Sequence, residues 1–350
     1  MVKRGTKKRS KLKNKQSSVK SDYFNENERG SFVSVFLFIL LLSLFIIISI
    51  LVYQIYLSIP GEPQELEFIV KEQQEQNING VSEVKQFYPN MKFNHNTISY
   101  KIDVVCDAKK RGRVISAFDE LSYNVNIIKF YESQENPDIE VICDKEKETN
   151  VNDDHFIAGE GGANEIIQTG KFNVINKGLI LLYDNSDLRT LECSYPNVEL
   201  HELMHVFGFD HSSNKESLMY PYLDSCNQKL DNSIIEKLNS LYSQPNLPDL
   251  YFEDVKAIKK GIYLDFNLTI KNSGDIGAKN LNFSVFDEGE LVESRKIGNG
   301  TLDYGAGFII EIANFKLLHR NPKEISFVLD YENVIAELDE SNNIAKVEFE

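Results

Sequence analysis

Between Phe32 and Tyr53 the chain reads FVSVFLFILLLSLFIIISILVY, with no charged residue and no polar face. That length suits a helix across a hydrocarbon core, which takes about 20 residues. Apolarity on every face, at the edge of a chain, argues against the core helix of a soluble protein. Tyr53, Gln54 and Tyr56 follow the run, where a signal-peptide cleavage site would need small residues. The pattern predicts a single transmembrane anchor over residues 31–57. Residues 58–92, rich in Gln, Glu and Asn, predict a stem with at most one short helix.

From Ile98 the periods shorten. ISYKIDVVC (98–106) alternates as a strand does, and AKKRGRVISAFDELSYNV (108–125) sets Val114, Ile115, Phe118 and Leu121 at helical spacing. NIIKFYE (126–132), DIEVIC (138–143) and GLILLYD (178–184) predict further strands. Pro196 or Asn197 can open a helix whose apolar stripe is Leu200, Leu203, Met204 and Phe207. NSIIEKLNSLY (232–242) predicts a closing helix. SQPNLPDL (243–250) then interrupts with two prolines, which marks a domain boundary. Units at 93–244 and 249–350 are expected to be separable. Beyond the boundary, IYLDFNLTI, KNLNFSVF, LVESRKI, GFIIEI, EISFVLDY and NIAKVEFE are separated by turn signals such as NSGD and DEGE. About seven strands and no helix predict an antiparallel sandwich.

Charge sharpens the topology. The formal net charge of −15 conceals a basic tail, residues 1–30, with ten Lys/Arg against three Asp/Glu. Basic residues before the span and none directly after it put the N-terminus in the cytoplasm and the remainder outside the cell. The acidic remainder excludes nucleic acid as a partner. Cys106, Cys143, Cys193 and Cys226 all fall in the exported part, as two disulfides would, with three pairings open.

The candidate chemistry lies in HELMHVFGFDH, residues 201–211. On a helix His201 and His205 share a face, and Glu202 lies beside them. Gly208 permits a left-handed turn that brings His211 back as a third ligand. Three imidazoles and one open position describe a catalytic zinc site, whereas structural sites are closed and usually contain Cys. A carboxylate in reach of the activated water serves as general base, which makes Glu202 the catalytic candidate.

With the downstream SLMYP, HELMHVFGFDHSS resembles the metzincin zinc metalloproteases, matrixins most of all, over residues 93–243. The resemblance implies an α+β catalytic domain, a twisted mixed five-stranded sheet over the active-site helix. It also implies Met219 in a Met-turn beneath one catalytic Zn2+, and an edge strand that pairs with an extended peptide. HFIAGEGG occupies that strand's place; a Gly-rich loop without a catalytic role is the equal alternative. The family sheet sets Cys106 beside Cys143, which leaves Cys193 to pair with Cys226. No Cys between the span and Cys106 could cap the zinc, and only His155, with Asp153 and Asp154, could serve a second zinc. Pro221-Tyr222-Leu223 departs from the family's Pro-x-Tyr wall. LTIKNSGD and IAELDESNNIAKVEF resemble the CARDB domains of microbial surface proteins, which implies an immunoglobulin-like spacer or ligand-binding module. Glu337, Asp339 and Glu340 read as a solvated turn, with Ca2+ binding as the alternative. The expected protein is a membrane-anchored extracellular zinc endopeptidase acting on protein or peptide substrates at the cell surface. A surface adhesion protein on a catalytically silent scaffold is the competing reading.

Overall fold

The computed structural model describes residues 26–71, 85–144, 157–183 and 193–349. It contains two compact units, residues 1–59 and 60–350. In the first, α1 spans Glu26–Ser58. From Val33 to Ser58 it has the length and apolarity shared by membrane anchors and signal sequences. Two of its hydroxyls are satisfied locally: Ser43 donates to the Leu40 carbonyl at 2.8 Å and Ser58 to the Gln54 carbonyl at 2.9 Å.

The second unit begins with β1 (Pro63–Glu67) and β2 (Ile69–Val70). There follow β3 (Met91–Lys92), β4 (Thr97–Ile102), α2 (Ala108–Asn124), β5 (Lys129–Glu132), β6 (Ile139–Asp144), β7 (Gly159–Gln168), β8 (Asn173–Tyr183), α3 (Asn197–Val206) and α4 (Asn232–Tyr242). Strands β8, β6, β4 and β5 run parallel in that order, and β7 pairs antiparallel with β8. The two-residue β3 makes a sixth strand where five were expected. Helix α2 forms because Asp107 caps it, accepting from the Lys110 amide at 2.8 Å, and because Val114, Phe118 and Leu121 bury on one face. Those side chains join Leu200, Leu203, Met204 and Phe207 of α3 in one core. Disulfides join Cys106 to Cys143 and Cys193 to Cys226.

The remaining strands are β9 (Leu250–Lys260), β10 (Tyr263–Asn272), β11 (Ala278–Lys279), β12 (Asn282–Asp287), β13 (Glu290–Lys296), β14 (Thr301–Leu302), β15 (Gly307–Lys316), β16 (Glu324–Leu329) and β17 (Ile344–Glu348). They build a sandwich whose sheets are ordered β1-β9-β10-β15 and β13-β12-β16-β17-β2. Strand β9, LYFEDVKAIKK, alternates buried and exposed positions and had no counterpart among the predicted segments.

The stem is the main correction. Residues 63–70 are strands of the C-terminal sandwich: β1 pairs with β9 and β2 with β17. Leu66 is buried in the sandwich core and Phe68 packs on it, its ring 5.1 Å from that of Phe327. The sandwich therefore starts before the α/β part and finishes after it. Residues 85–92 belong to the α/β part, and the rest of the expected stem lies outside the described residues.

The junction between the two parts is packed, in place of the independence the prolines suggested. Fully buried Lys92 places Nζ 2.8 Å from Asp275 Oδ2, donates to Asn246 Oδ1 at 2.9 Å, and lies 4.8 Å from the Phe172 ring centroid. Lys171 Nζ is 2.9 Å from Asp249 Oδ1, and Thr169 Oγ1 donates to the Ser273 carbonyl at 2.8 Å. Burying such charges costs several kcal/mol per ion unless each meets its partner, so these pairs select one docking geometry.

Leu66→Ala in the full-length protein should destabilise the sandwich by about 2–4 kcal/mol, the usual loss for a buried leucine. Denaturant unfolding checks this, and a neutral substitution would return residues 63–70 to a stem.

Candidate metal centre

Several contacts fix the helix that carries the motif before any ligand is considered. Arg113 of α2 holds its entrance: Nε donates to Glu199 Oε1 at 2.8 Å, and Nη1 to the Cys193 carbonyl at 2.7 Å. Glu199 sits in the first turn of α3, where the helix dipole favours a carboxylate. Asn197 Nδ2 donates to the Gln228 carbonyl at 2.7 Å, and the Cys193–Cys226 disulfide ties the same entrance to the segment after residue 219.

At its other end α3 stops in a Schellman turn. The Phe209 amide donates to the Met204 carbonyl at 3.0 Å and the Gly208 amide to the His205 carbonyl at 2.9 Å. Gly208 adopts φ +83°, and a Cβ there would meet Met91 Sδ at 2.2 Å. Only glycine fits both constraints. A strap outside the motif secures the turn: the Phe87 amide donates to the Gly208 carbonyl at 2.7 Å, and Gln86 Nε2 donates to the Phe207 carbonyl at 2.9 Å.

The reversal gathers His201, His205 and His211. His205 Nε2 lies 3.0 Å from His201 Nε2 and 3.2 Å from His211 Nε2. His201 Nδ1 is 2.7 Å from the Leu218 carbonyl, and His205 Nδ1 is 2.7 Å from the Phe209 carbonyl. A carbonyl can only accept, so both Nδ1 atoms carry hydrogen and both Nε2 atoms present lone pairs inward. Burial pushes His201 down to about 4 and lowers His205 as well, against the pull of those carbonyl bonds. Lone pairs converging at this distance repel unless a cation lies between them, and tetrahedral zinc–nitrogen bonds separate their donors by about 3.3 Å. The donor set fits zinc. Among the described residues these three form the one cluster with metal-binding geometry.

Met219 is fully buried in a turn that contacts two of the three histidine segments. Its carbonyl accepts from the Ser212 amide at 2.8 Å, next to His211, while the preceding Leu218 carbonyl orients His201. Ser217 Oγ accepts from the Met219 amide at 3.0 Å and donates to Asp231 Oδ2 at 2.7 Å.

Glu202, next to His201 in the chain, is buried. The GEGG of HFIAGEGG, residues 159–162, starts β7, a strand, and Gly161 lies against the helix so closely that a Cβ would sit 2.1 Å from the Glu202 carbonyl oxygen. Burial above all, and then the charge of Glu160, pushes the Glu202 carboxyl up to about 8, while a hydrogen bond from the Gly161 backbone pulls it down. Tyr183 Oη donates to Glu160 Oε2 at 2.9 Å. His155, Asp153 and Asp154 lie outside the described residues. Pro221, Tyr222 and Leu223 are exposed after the turn.

Glu337 is not the solvated residue expected. It is buried and accepts from the Leu250 amide at 2.5 Å and from Asn343 Nδ2 at 3.0 Å, and its carboxyl is pushed up to about 8 by burial. Asp339 Oδ1 accepts from the Ser341 amide at 2.9 Å, and Glu340 Oε1 from the Glu337 amide at 3.0 Å. Asp339 and Glu340 shape the turn that precedes β17, and Glu337 ties that turn to the first residue of β9.

The family comparisons agree with this architecture. The Matrixin family model matches residues 92–243. This stretch is a matrixin domain. The CARDB family model matches residues 247–347, immediately after the matrixin domain. Among solved structures, the chain is similar to the CARDB domain of the PF1109 protein from Pyrococcus furiosus, crystallised with di-metal ions. The identity is 21% and the TM-score 0.25, over 30% of this chain and 96% of that one. A domain of a putative cell surface protein from Methanosarcina acetivorans is 20% identical, with TM-score 0.24, over 30% of this chain and 93% of that one. No curated protein matches.

Substitutions in the matrixin domain should separate ligand from base. Glu202→Gln should retain zinc because three imidazoles remain, whereas His211→Ala leaves two and should lose zinc on dialysis. Elemental analysis of the purified variants decides; equal loss in both would make Glu202 a ligand or a structural residue.

Proposed function

We propose that the chain is a membrane-anchored extracellular zinc endopeptidase. The observation that carries this reading is the convergence of the His201, His205 and His211 Nε2 atoms at 3.0–3.2 Å on the helix that also carries the buried Glu202. Zinc, when bound, supplies Lewis-acid polarisation of a carbonyl and acidification of water. Glu202 then takes the proton from the attacking water on a carboxylate oxygen and returns it to the leaving amine. The Gly161 amide holds that carboxylate in place, and α3 keeps the imidazoles from reorganising during the reaction. Strand β7, paired on one side only among the described residues, offers its free edge to an extended substrate. The substrates are proteins or peptides at the cell surface, and the CARDB domain is a spacer or a module for a surface ligand. The basic tail before α1 places the N-terminus in the cytoplasm.

The full-length protein in detergent should cleave a denatured protein, with loss of cleavage on zinc chelation and recovery on adding zinc. Glu202→Gln should lower the rate by about 10²–10⁴-fold. Zinc-loaded protein that cleaves nothing would instead support adhesion on a silent scaffold. In intact cells, externally added protease should remove a C-terminal tag and spare an N-terminal one. The reverse pattern would refute the orientation.

A further inference from the structure

The junction places the two free sheet edges on one side of the molecule. Three contacts across it occur in order. Lys171, next to β8, meets Asp249 before β9; Thr169 in the β7–β8 turn meets Ser273 after β10. At the end of β7, Gln168 and Ile167 meet Gly305 before β15: a Cβ on Gly305 would lie 2.9 Å from the Gln168 carbonyl oxygen and 3.0 Å from Ile167 Cγ2. Going from β8 to β7 therefore matches going from β9 through β10 to β15. Strand β7 is the outermost strand of the catalytic sheet at this side and β15 that of the sandwich sheet, each paired on one flank only among the described residues. They also run in the same sense. β7 ends at the junction and β15 begins there, so one extended chain can pair with both without reversing.

The exposed face of β15 has a readable chemistry. Phe308, Ile310 and Ile312 pack against the sandwich core, whereas Ile309, Glu311 and Ala313 face outward, and Ile309 is 63% exposed. A ten-residue edge with a protruding isoleucine and no proline is the kind of strand that proteins normally blunt or cover. A strand laid along it would place side chains opposite these outward ones.

We propose that β15 is an exosite for the substrate polypeptide. An extended segment that leaves the cleft along β7 continues onto β15, with an apolar residue opposite Ile309 and a basic residue opposite Glu311. From Gly161, beside Glu202, to Gln168 is seven residues, about 24 Å of strand, so the exosite engages residues about ten or more from the scissile bond. The CARDB domain thus selects long unfolded chains over short peptides. This rests on the peptidase reading for its first half, the cleft, but the binding surface itself does not.

The test uses full-length protein in detergent. A denatured, alkylated protein defines a cut site, and an eight-residue peptide spanning that site is compared with two longer ones. One is extended by fourteen residues on the N-terminal side and the other on the C-terminal side, both in the repeat Val-Ser-Lys-Ser, which sets Val and Lys two residues apart on one strand face, as Ile309 and Glu311 are. One extension, not both, should raise kcat/KM roughly tenfold, the gain expected from burying about one isoleucine side chain. Glu311→Lys should abolish that gain, restore it for a flank carrying Glu in place of Lys, and leave the eight-residue peptide unaffected. Anisotropy with the Glu202→Gln protein should show the same charge dependence in binding alone. Equal cleavage of all three peptides, or indifference to Glu311→Lys, would overturn the exosite while leaving the peptidase intact. Charge-dependent binding without any cleavage would keep the exosite and remove the peptidase. A monomer–dimer equilibrium that moves with Glu311→Lys in light scattering, without an effect on peptides, would make β15 a contact between copies and overturn the proposal.

Discussion

Three imidazole nitrogens facing one another at about hydrogen-bond distance are unstable unless something positive joins them, and much of the matrixin domain serves to hold them there. His201 and His205 need a regular helix, and His211 needs that helix to stop and reverse within three residues of its last turn. The reversal depends on Gly208, whose backbone is left-handed and whose missing Cβ is the space occupied by Met91. The rings depend on two carbonyls, Leu218 and Phe209, which leave only the Nε2 lone pairs to point inward. Supporting contacts lie farther out: Arg113 at the helix entrance, the strap at Gln86 and Phe87, and the turn around Met219.

The clustering of His201, His205 and His211 was legible in the sequence because side-chain chemistry at fixed helical offsets leaves a pattern. Gly208 was legible for the same reason, since a reversal there has few other solutions. The orienting carbonyls were not, because every residue has one and only the fold decides which faces a histidine. The role of Gly161 was half visible. Its sequence admitted both a loop and an edge strand, and the close approach of β7 to α3 selects the strand.

The sandwich shows a different limit. PQELE is short, acidic and separated from its partner strand by the entire matrixin domain, so its local composition resembles a solvated stem. Its register with β9 and the burial of Leu66 are nonlocal facts that no window on the sequence contains. Nothing local in the sequence marks Lys92 or Lys171, yet both are buried against Asp275 and Asp249. Inserting the matrixin domain within the sandwich ties it at both ends, and the buried pairs remove the remaining freedom. The edge strand beside Glu202 therefore holds a fixed relation to the sandwich, a requirement for any site that spans both.

X-ray absorption at the zinc edge, on protein purified without added chelator, shows directly whether the three histidines hold the metal. One zinc per chain is expected, bound by three imidazole nitrogens at about 2.0–2.1 Å with one further light-atom ligand. A chain that takes up no zinc, or a zinc held by sulfur or closed by four protein ligands, would contradict that expectation.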